Sequence, residues 1–337
     1  MKPHPLPCIL AVVILILLLS AKAAHAGSQR HDLDFKGASR DYFVHTPPFY
    51  RPGGPPLPVV LALHGGGGSA EQMEAGYNLD SYADRAGMIM VYPDGVSSLI
   101  GKFHTWNAGK CCGKAKKDNS DDTGFIAAVI EAVIREYGAD SRHVFVTGHS
   151  NGAQMAYRLA CEMPGKIAAI APVGGAMFHC SRMIPVPILH IHGTLDRCAI
   201  YRGASVCGGC FQRALGWPSG GADTWACEAV ETTLAGRAAA YGCGKEAEIA
   251  YRQGPVVCAA WKNCPVRGGI TLCRIEGGGH VWQGSAPPPF CARDENGRLC
   301  RDWMKEIGPV LPEVDINRLI FDFFSTQTAE PAQNPAP

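Results

Sequence analysis

Continuous apolar runs, rather than alternating ones, dominate the strand signals of this chain. Val59–Leu63, Met88–Tyr92, His143–Thr147, Ala168–Val173 and Pro187–His192 are all short and mostly apolar. A strand that is apolar on both sides of its pleat is buried on both faces, as in a parallel sheet covered by helices. Helical stretches fall between these runs, over residues 78–86, 124–135, 153–160 and about 224–241. Asp121, Asp122 and Thr123 stand ahead of the second stretch. They read as helix-start residues that cap free amides and complement the dipole, not as a catalytic carboxylate pair. Asp41–Thr46 predicts an early strand, closed by Pro47-Pro48. Glu248–Tyr251 and Ile270–Ile275 predict late ones, and residues 315–324 a last helix packing back on the sheet. Between Val96 and Asn119 lies a long loop, and loops of that length in compact domains are usually functional. The pattern predicts one α/β domain with a mostly parallel central sheet and helices on both faces.

Composition narrows the setting. With 337 residues, 47% hydrophobic and 18% charged, the chain can bury a sizeable core. Lys2, the apolar run Ile9–Leu19 and Ala24-His25-Ala26 have the layout of a cleavable leader over residues 1–26. The run is shorter than the about 20 residues that span a bilayer. Losing Lys2 and Lys22 with the leader leaves 31 − 2 = 29 basic against 30 acidic residues. Such a balance attracts neither nucleic acid nor an anionic membrane. Of 15 cysteines, Cys8 leaves with the leader, and ten of the remaining 14 lie between Cys198 and Cys300. An even count in an exported chain, secreted or periplasmic, points to disulfides, which about 10⁵ pairings would satisfy. Cys207-Gly208-Gly209-Cys210 has no second Cys-x-x-Cys or histidine cluster to make it a zinc or redox site. The catalytic domain is expected over residues 27–326, and residues 327–337 as a disordered tail.

The candidate chemistry centres on Gly148-His149-Ser150-Asn151-Gly152, a G-x-S-x-G between a strand run and a helical run. A serine on a sharp strand-to-helix turn needs neighbours without bulky Cβ substituents. His64-Gly65-Gly66-Gly67-Gly68-Ser69 follows a buried run and leaves backbone amides unshielded. It lacks the lysine of a phosphate loop, and its amides suit an oxyanion hole. Asp196 follows the run ending at His192, on the sheet edge where open α/β folds place ligands. His280 stands on Gly277-Gly278-Gly279, free to swing over a nucleophile and more exposed than a core histidine. The order Ser150, Asp196, His280 is that of α/β-hydrolases. His190 and His192 belong to a strand expected to be buried. Trp106 either lines a substrate cleft or plugs a surface gap, and Trp282 lies near the same predicted cleft.

Seven landmarks occur together: Leu63-His64-Gly65-Gly66, Tyr92-Pro93-Asp94-Gly95, Trp106-Asn107 with Cys111-Cys112-Gly113, Asp121 to Phe125, Gly148 to Gly152, His192 to Asp196, and Gly277 to Trp282. In this order they resemble the secreted polyhydroxybutyrate depolymerases and feruloyl and acetylxylan esterases, of the carbohydrate esterase family 1 type. The resemblance covers about residues 40–325. It implies an α/β-hydrolase fold, a triad of Ser150, His280 and Asp196, oxyanion amides at Gly66 and Asn151, and no metal or cofactor. A cysteine-rich insertion over 198–227, ahead of the catalytic His280, is longer than the family pattern. The substrate expected is a polymeric or aryl ester, with Trp106 and Trp282 as binding residues. A non-catalytic polymer-binding protein on a hydrolase scaffold and a serine peptidase are the rival readings. Oligomeric state is not legible.

Overall fold

Ten strands form one sheet in the order β1-β2-β4-β3-β7-β8-β9-β14-β13-β12 in a computed structural model of the chain. It describes residues 28–98, 103–178, 180, 184–214, 223–266 and 269–328. The six central strands are β4 (Ile89–Pro93), β3 (Val59–Leu63), β7 (Val144–His149), β8 (Ala169–Val173), β9 (Ile188–Gly193) and β14 (Ile270–Ile275). They are mutually parallel. Antiparallel strands extend both edges: β1 (Gln29–Phe35) and β2 (Ala38–His45) on one side, β13 (Val256–Trp261) and β12 (Ala247–Gln253) on the other. Two small hairpins lie apart, β5 (Val96–Ser98) with β6 (Phe103–Thr105), and β10 (Ala204–Gly208) with β11 (Thr224–Cys227).

The apolar runs serve both faces because alternate side chains point opposite ways. Val59, Leu61 and Leu63 join a core with Phe125, Val129 and Val133 of the helix Asp122–Tyr137 and with Met155 and Leu159 of the helix Asn151–Glu162. Val60 and Ala62 face the other core, made with Met73, Leu79, Phe321 and Phe324. Phe324, on the last helix Ile316–Thr328, stacks on Phe145 with centroids 4.8 Å apart. Residues 327 and 328, expected in the tail, are the last turn of that helix. The leader over 1–26 and the tail from 329 onward lie outside the described residues.

Several expectations change. Residues 29–35 form a strand, because Lys36 and Gly37 both take positive φ and close a tight hairpin onto β2. Ahead of the predicted helix at 78–86 stands another, Ala70–Tyr77, capped by the Ser69 side chain, and Asn78 in the left-handed region separates the two. The long loop after Val96 contains the β5–β6 hairpin and a short helix, Gly113–Lys117. The stretch 224–241 divides into β11 and the helix Val230–Ala240. The described part of the expected insertion therefore forms a two-stranded sheet of its own, bridged by Cys207–Cys227 and tied down by Cys198–Cys210. Those two bridges also dissolve the apparent Cys-x-x-Cys motif, since Cys207 and Cys210 have different partners. Cys111–Cys112, Cys161–Cys180, Cys243–Cys264, Cys258–Cys273 and Cys291–Cys300 pair the remainder.

Strand order places the chemistry. From β3 the chain goes to β4 on one side and returns to β7 on the other, so the order reverses between β3 and β7. Open α/β sheets bind ligands at the carboxyl ends of strands at such a switch point. The glycine loop follows β3, Ser150 follows β7, Asp196 follows β9 and His280 follows β14.

Candidate active site

Ser150 sits at φ 54°, ψ −112°, between β7 and the helix that Asn151 opens. A non-glycine residue at positive φ is strained, and its surroundings must hold it there. The flanking glycines make this possible. A Cβ on Gly148 would lie 2.7 Å from the Gly152 carbonyl, and one on Gly152 would lie 2.6 Å from the His64 oxygen and also strike the Leu63 oxygen. The Ser150 amide donates to Val173 O at 2.9 Å, tying the turn to β8.

Ser150 Oγ lies 2.8 Å from His280 Nε2, and His280 Nδ1 lies 2.7 Å from Asp196 Oδ2. The three side chains proposed from chain order are thus brought into one hydrogen-bonded relay. Asp196 is buried, and its Oδ1 accepts from the amides of Cys198 and Ala199, each at 2.7 Å. Burial opposes its charge, but His280 and the hydrogen bonds from His192 and His280 more than offset that and hold the carboxyl below its ordinary range. A carboxylate accepting from Nδ1–H leaves Nε2 as the basic nitrogen facing the hydroxyl.

His280 departs from expectation in its setting. It is buried, not exposed, and Gly278 and Gly279 ahead of it pack tightly instead of granting freedom. A Cβ on Gly193 would meet Gly279 O at 2.6 Å, and one on Gly279 would meet Gly308 Cα at 2.6 Å. The amides of Gly279 and His280 donate to Pro309 O and Ile307 O, both at 2.7 Å. The histidine loop is held in position already.

The glycine loop runs alongside. A Cβ on Gly65 would be 3.7 Å from Ser150 Cβ, and one on Gly66 3.5 Å from Asn151 Cβ. Among the described residues the Gly66 amide has no acceptor, and Asn151, as the first helical residue, has an amide without an intrahelical partner. Two donors beside one serine suit an oxyanion. Gly67 N donates to His104 O at 2.8 Å, and His64 fixes the base of the loop by bonding Gly65 O at 2.8 Å and accepting from Gly95 N at 3.0 Å. Asp94 accepts from Ala70 N at 2.7 Å and lies 3.0 Å from His104 Nδ1.

Neither tryptophan lines a cleft. Trp106 is fully buried, its Nε1 donating to His64 O at 3.0 Å. Its backbone bonds the Asn151 side chain in both directions, N to Oδ1 at 2.7 Å and O from Nδ2 at 3.0 Å. It therefore fixes the two amide-bearing segments relative to each other. Trp282 is also buried, stacked on Tyr77 with centroids 4.9 Å apart, with Nε1 donating to Asn317 Oδ1 at 2.8 Å. Large rings in motifs near a site read alike in sequence whether they face solvent or wall.

Asp122 carries more than the expected cap. Asp121 is the N-cap, accepting from Gly124 N at 2.9 Å. Asp122 is buried and accepts from Arg40 Nη1, Asn107 N and Ser120 Oγ, each at 2.7 Å. It thereby clamps the Trp106-Asn107 segment against β2.

Buried histidines give stability a pH dependence. Burial pushes His64 down to about 4, and burial together with His280 pushes His149 down to about 3. Unfolded, both rings take a proton near their ordinary value of about 6.5; folded, they stay neutral until those lower values. Their contribution is therefore complete above about pH 6.5 and is lost as pH falls toward 4, at about 1.4 kcal/mol per pH unit for each ring. Urea midpoints measured at pH 7 and pH 5 should drop accordingly. Equal midpoints would contradict the neutral, buried rings.

Among the described residues, no helix is long and apolar enough to cross a membrane. Residues 45–201 match the pattern of a family described as "Esterase PHB depolymerase". The chain is 31% identical over 163 residues to a bifunctional acetylxylan esterase/xylanase, XynS20E, of Neocallimastix patriciarum, covering 48% of this chain and 22% of that one. It is 28% identical over 235 residues to feruloyl esterase B of Piromyces equi, covering 66% and 39%. The chain thus spans well under half the length of either relative. Among solved structures, an acetyl xylan esterase from Aspergillus awamori superposes with a TM-score of 0.51 at 16% identity, covering 79% of this chain and 98% of that one. That likeness shows the α/β-hydrolase fold. The span 45–201 that matches this esterase PHB depolymerase pattern holds Gly66, Ser150, Asn151 and Asp196, while His280 lies beyond it.

Proposed function

We propose that this protein is a secreted serine esterase that cleaves carboxylic esters through an acyl-enzyme. The observation that carries the reading is the relay from Asp196 through His280 to Ser150, with steps of 2.7 and 2.8 Å, beside the Gly66 and Asn151 amides, for which no acceptor stands among the described residues. His280 Nε2 takes the hydroxyl proton as Ser150 Oγ bonds to the ester carbon. Negative charge on the former carbonyl oxygen is met by the amides of Gly66 and Asn151. As the intermediate collapses, the C–O bond to the alcohol breaks and His280 hands its proton to that oxygen. Water then repeats the sequence: His280 removes its proton, the hydroxide oxygen joins the acyl carbon, and Ser150 leaves with the proton. Asp196 holds the imidazole and stabilises its charged form throughout.

For substrate we take acetyl or feruloyl esters on plant polysaccharide, supported by the names of the two curated relatives. Polyhydroxybutyrate is the second reading, supported by the family description. Secretion is supported by the leader pattern and by seven disulfide pairs. A fluorophosphonate probe should label Ser150 covalently, and an unlabelled protein would favour a binding module. Acetylated xylan, methyl ferulate and polyhydroxybutyrate film are then compared side by side. Turnover of the film alone would overturn the polysaccharide assignment.

A further inference from the structure

Strand β9 reads Ile188-Leu189-His190-Ile191-His192-Gly193, and its two histidines point to the same face as Ile188, into the core that holds Tyr157 and Tyr201. Two imidazoles in an apolar core are costly unless every ring nitrogen is paired. Here every one is. Tyr157 Oη lies 2.7 Å from His190 Nδ1, and His190 Nε2 lies 3.0 Å from His192 Nδ1. His192 Nε2 lies 2.7 Å from Ala199 O and 3.1 Å from Asp196 Oδ2.

The partners fix the direction of the bonds at His192 Nε2. Ala199 O and an ionised Asp196 can only accept, so His192 Nε2 carries a hydrogen. If His190 Nε2 carries the hydrogen of the next bond, His192 Nδ1 accepts it and His190 Nδ1 accepts from the Tyr157 hydroxyl. Burial keeps His190 neutral, holding it well below its ordinary value. His192 Nε2–H bonds Ala199 O at 2.7 Å and sits 3.1 Å from Asp196 Oδ2, so its one hydrogen lies between that carbonyl and the carboxylate that orients His280.

We infer that His192, held by His190 and Tyr157, is a positioning residue for Asp196: beside His280 it supplies the second contact on Oδ2, the oxygen that His280 uses. The amides of Cys198 and Ala199 hold Oδ1, leaving Oδ2 to His280 and His192. Without the His192 donor the carboxylate can rotate about its bonds to Oδ1 and carry the imidazole away from Ser150. This inference rests on the esterase reading above.

Three substitutions separate the contacts. His192→Leu removes both nitrogens. In His192→Asn the amide reaches only the Nδ1 position, so the link to His190 survives and the donor to Asp196 is lost. In His192→Gln the amide nitrogen reaches the Nε2 position and keeps that donor. Activity is expressed per fluorophosphonate-titrated site, so unfolded protein does not count. Losing a hydrogen bond to a charged group should lower kcat about 10- to 100-fold in the Leu and Asn variants, with KM within about twofold. The Gln variant should stay within about threefold of wild type on the same scale. In an Asp196→Asn background the Asn variant should cause little further loss, because neighbours that act through one group are not additive. If His192→Leu does not fold, the Asn and Gln pair decides alone.

Equal kcat per site in Asn and Gln variants, or a full further loss in the Asp196→Asn background, would overturn the inference. A purely structural role moves the unfolding midpoint and leaves kcat per site untouched. A wild-type protein that neither labels nor cleaves esters would sink the esterase reading instead, and that outcome is visible before any His192 variant is made.

Discussion

Ser150→Ala is expected to lower kcat for a short p-nitrophenyl ester on the order of 10⁶-fold, as removal of the nucleophile does in comparable relays, with KM little changed. The hydroxyl is the atom that His280 Nε2 faces at 2.8 Å, and no other nucleophile stands within the relay. Alanine keeps the Cβ and the same positive-φ demand at residue 150, so the turn itself is disturbed little. What remains is an imidazole with nothing to activate but water, beside amides that still recognise an oxyanion. Steady-state hydrolysis and loss of fluorophosphonate labelling measure the effect together. Activity within tenfold of wild type would place the nucleophile elsewhere.

The second large effect is on stability. Asp122→Ala should cost about 3–5 kcal/mol, the range for removing one partner of a buried ion pair. The Arg40 side chain is 11% exposed and the Asp122 side chain 0%, so the abandoned guanidinium has little access to water. Arg40 also donates to Asp94 O at 2.9 Å and lies 3.7 Å from the Phe125 ring centroid, contacts that keep it in place after its partner is gone. The Asn107 amide and the Ser120 hydroxyl lose an acceptor as well. Urea unfolding reads the change. Replacing both members with apolar residues, Arg40→Met with Asp122→Leu, should recover much of it. A loss below about 1 kcal/mol in the single variant would mean that the pair is not buried as described.

The comparison between these two residues shows what a linear sequence reveals. Ser150 is legible because its demands are local: two glycines, a strand before it and a helix after. Asp122 looks like a helix cap because its partner Arg40 stands 82 positions away, and nothing near either residue announces the other. The central strands were legible because burial on both faces leaves an unbroken apolar run. β1 was not, since an edge strand with exposed and half-exposed residues looks like a polar loop until Lys36-Gly37 is seen to turn it back. β13 carries the apolar run Val256-Val257-Cys258-Ala259-Ala260-Trp261, a strand signal of the same kind as those of the central strands. His280 was found by chain order, but its burial depends on Ile307 and Pro309 arriving from a later segment. Disulfide pairing had no local signature at all, because it depends on which strands and loops become neighbours.

Gly193, Gly279 and Gly308 bring three lengths of main chain together with no side chain between them. Anyone redesigning the mouth of this protein inherits these positions as fixed survey points: the surrounding surface can be recut for a different substrate, but one added methyl group would push the acid and base strands of the sheet apart.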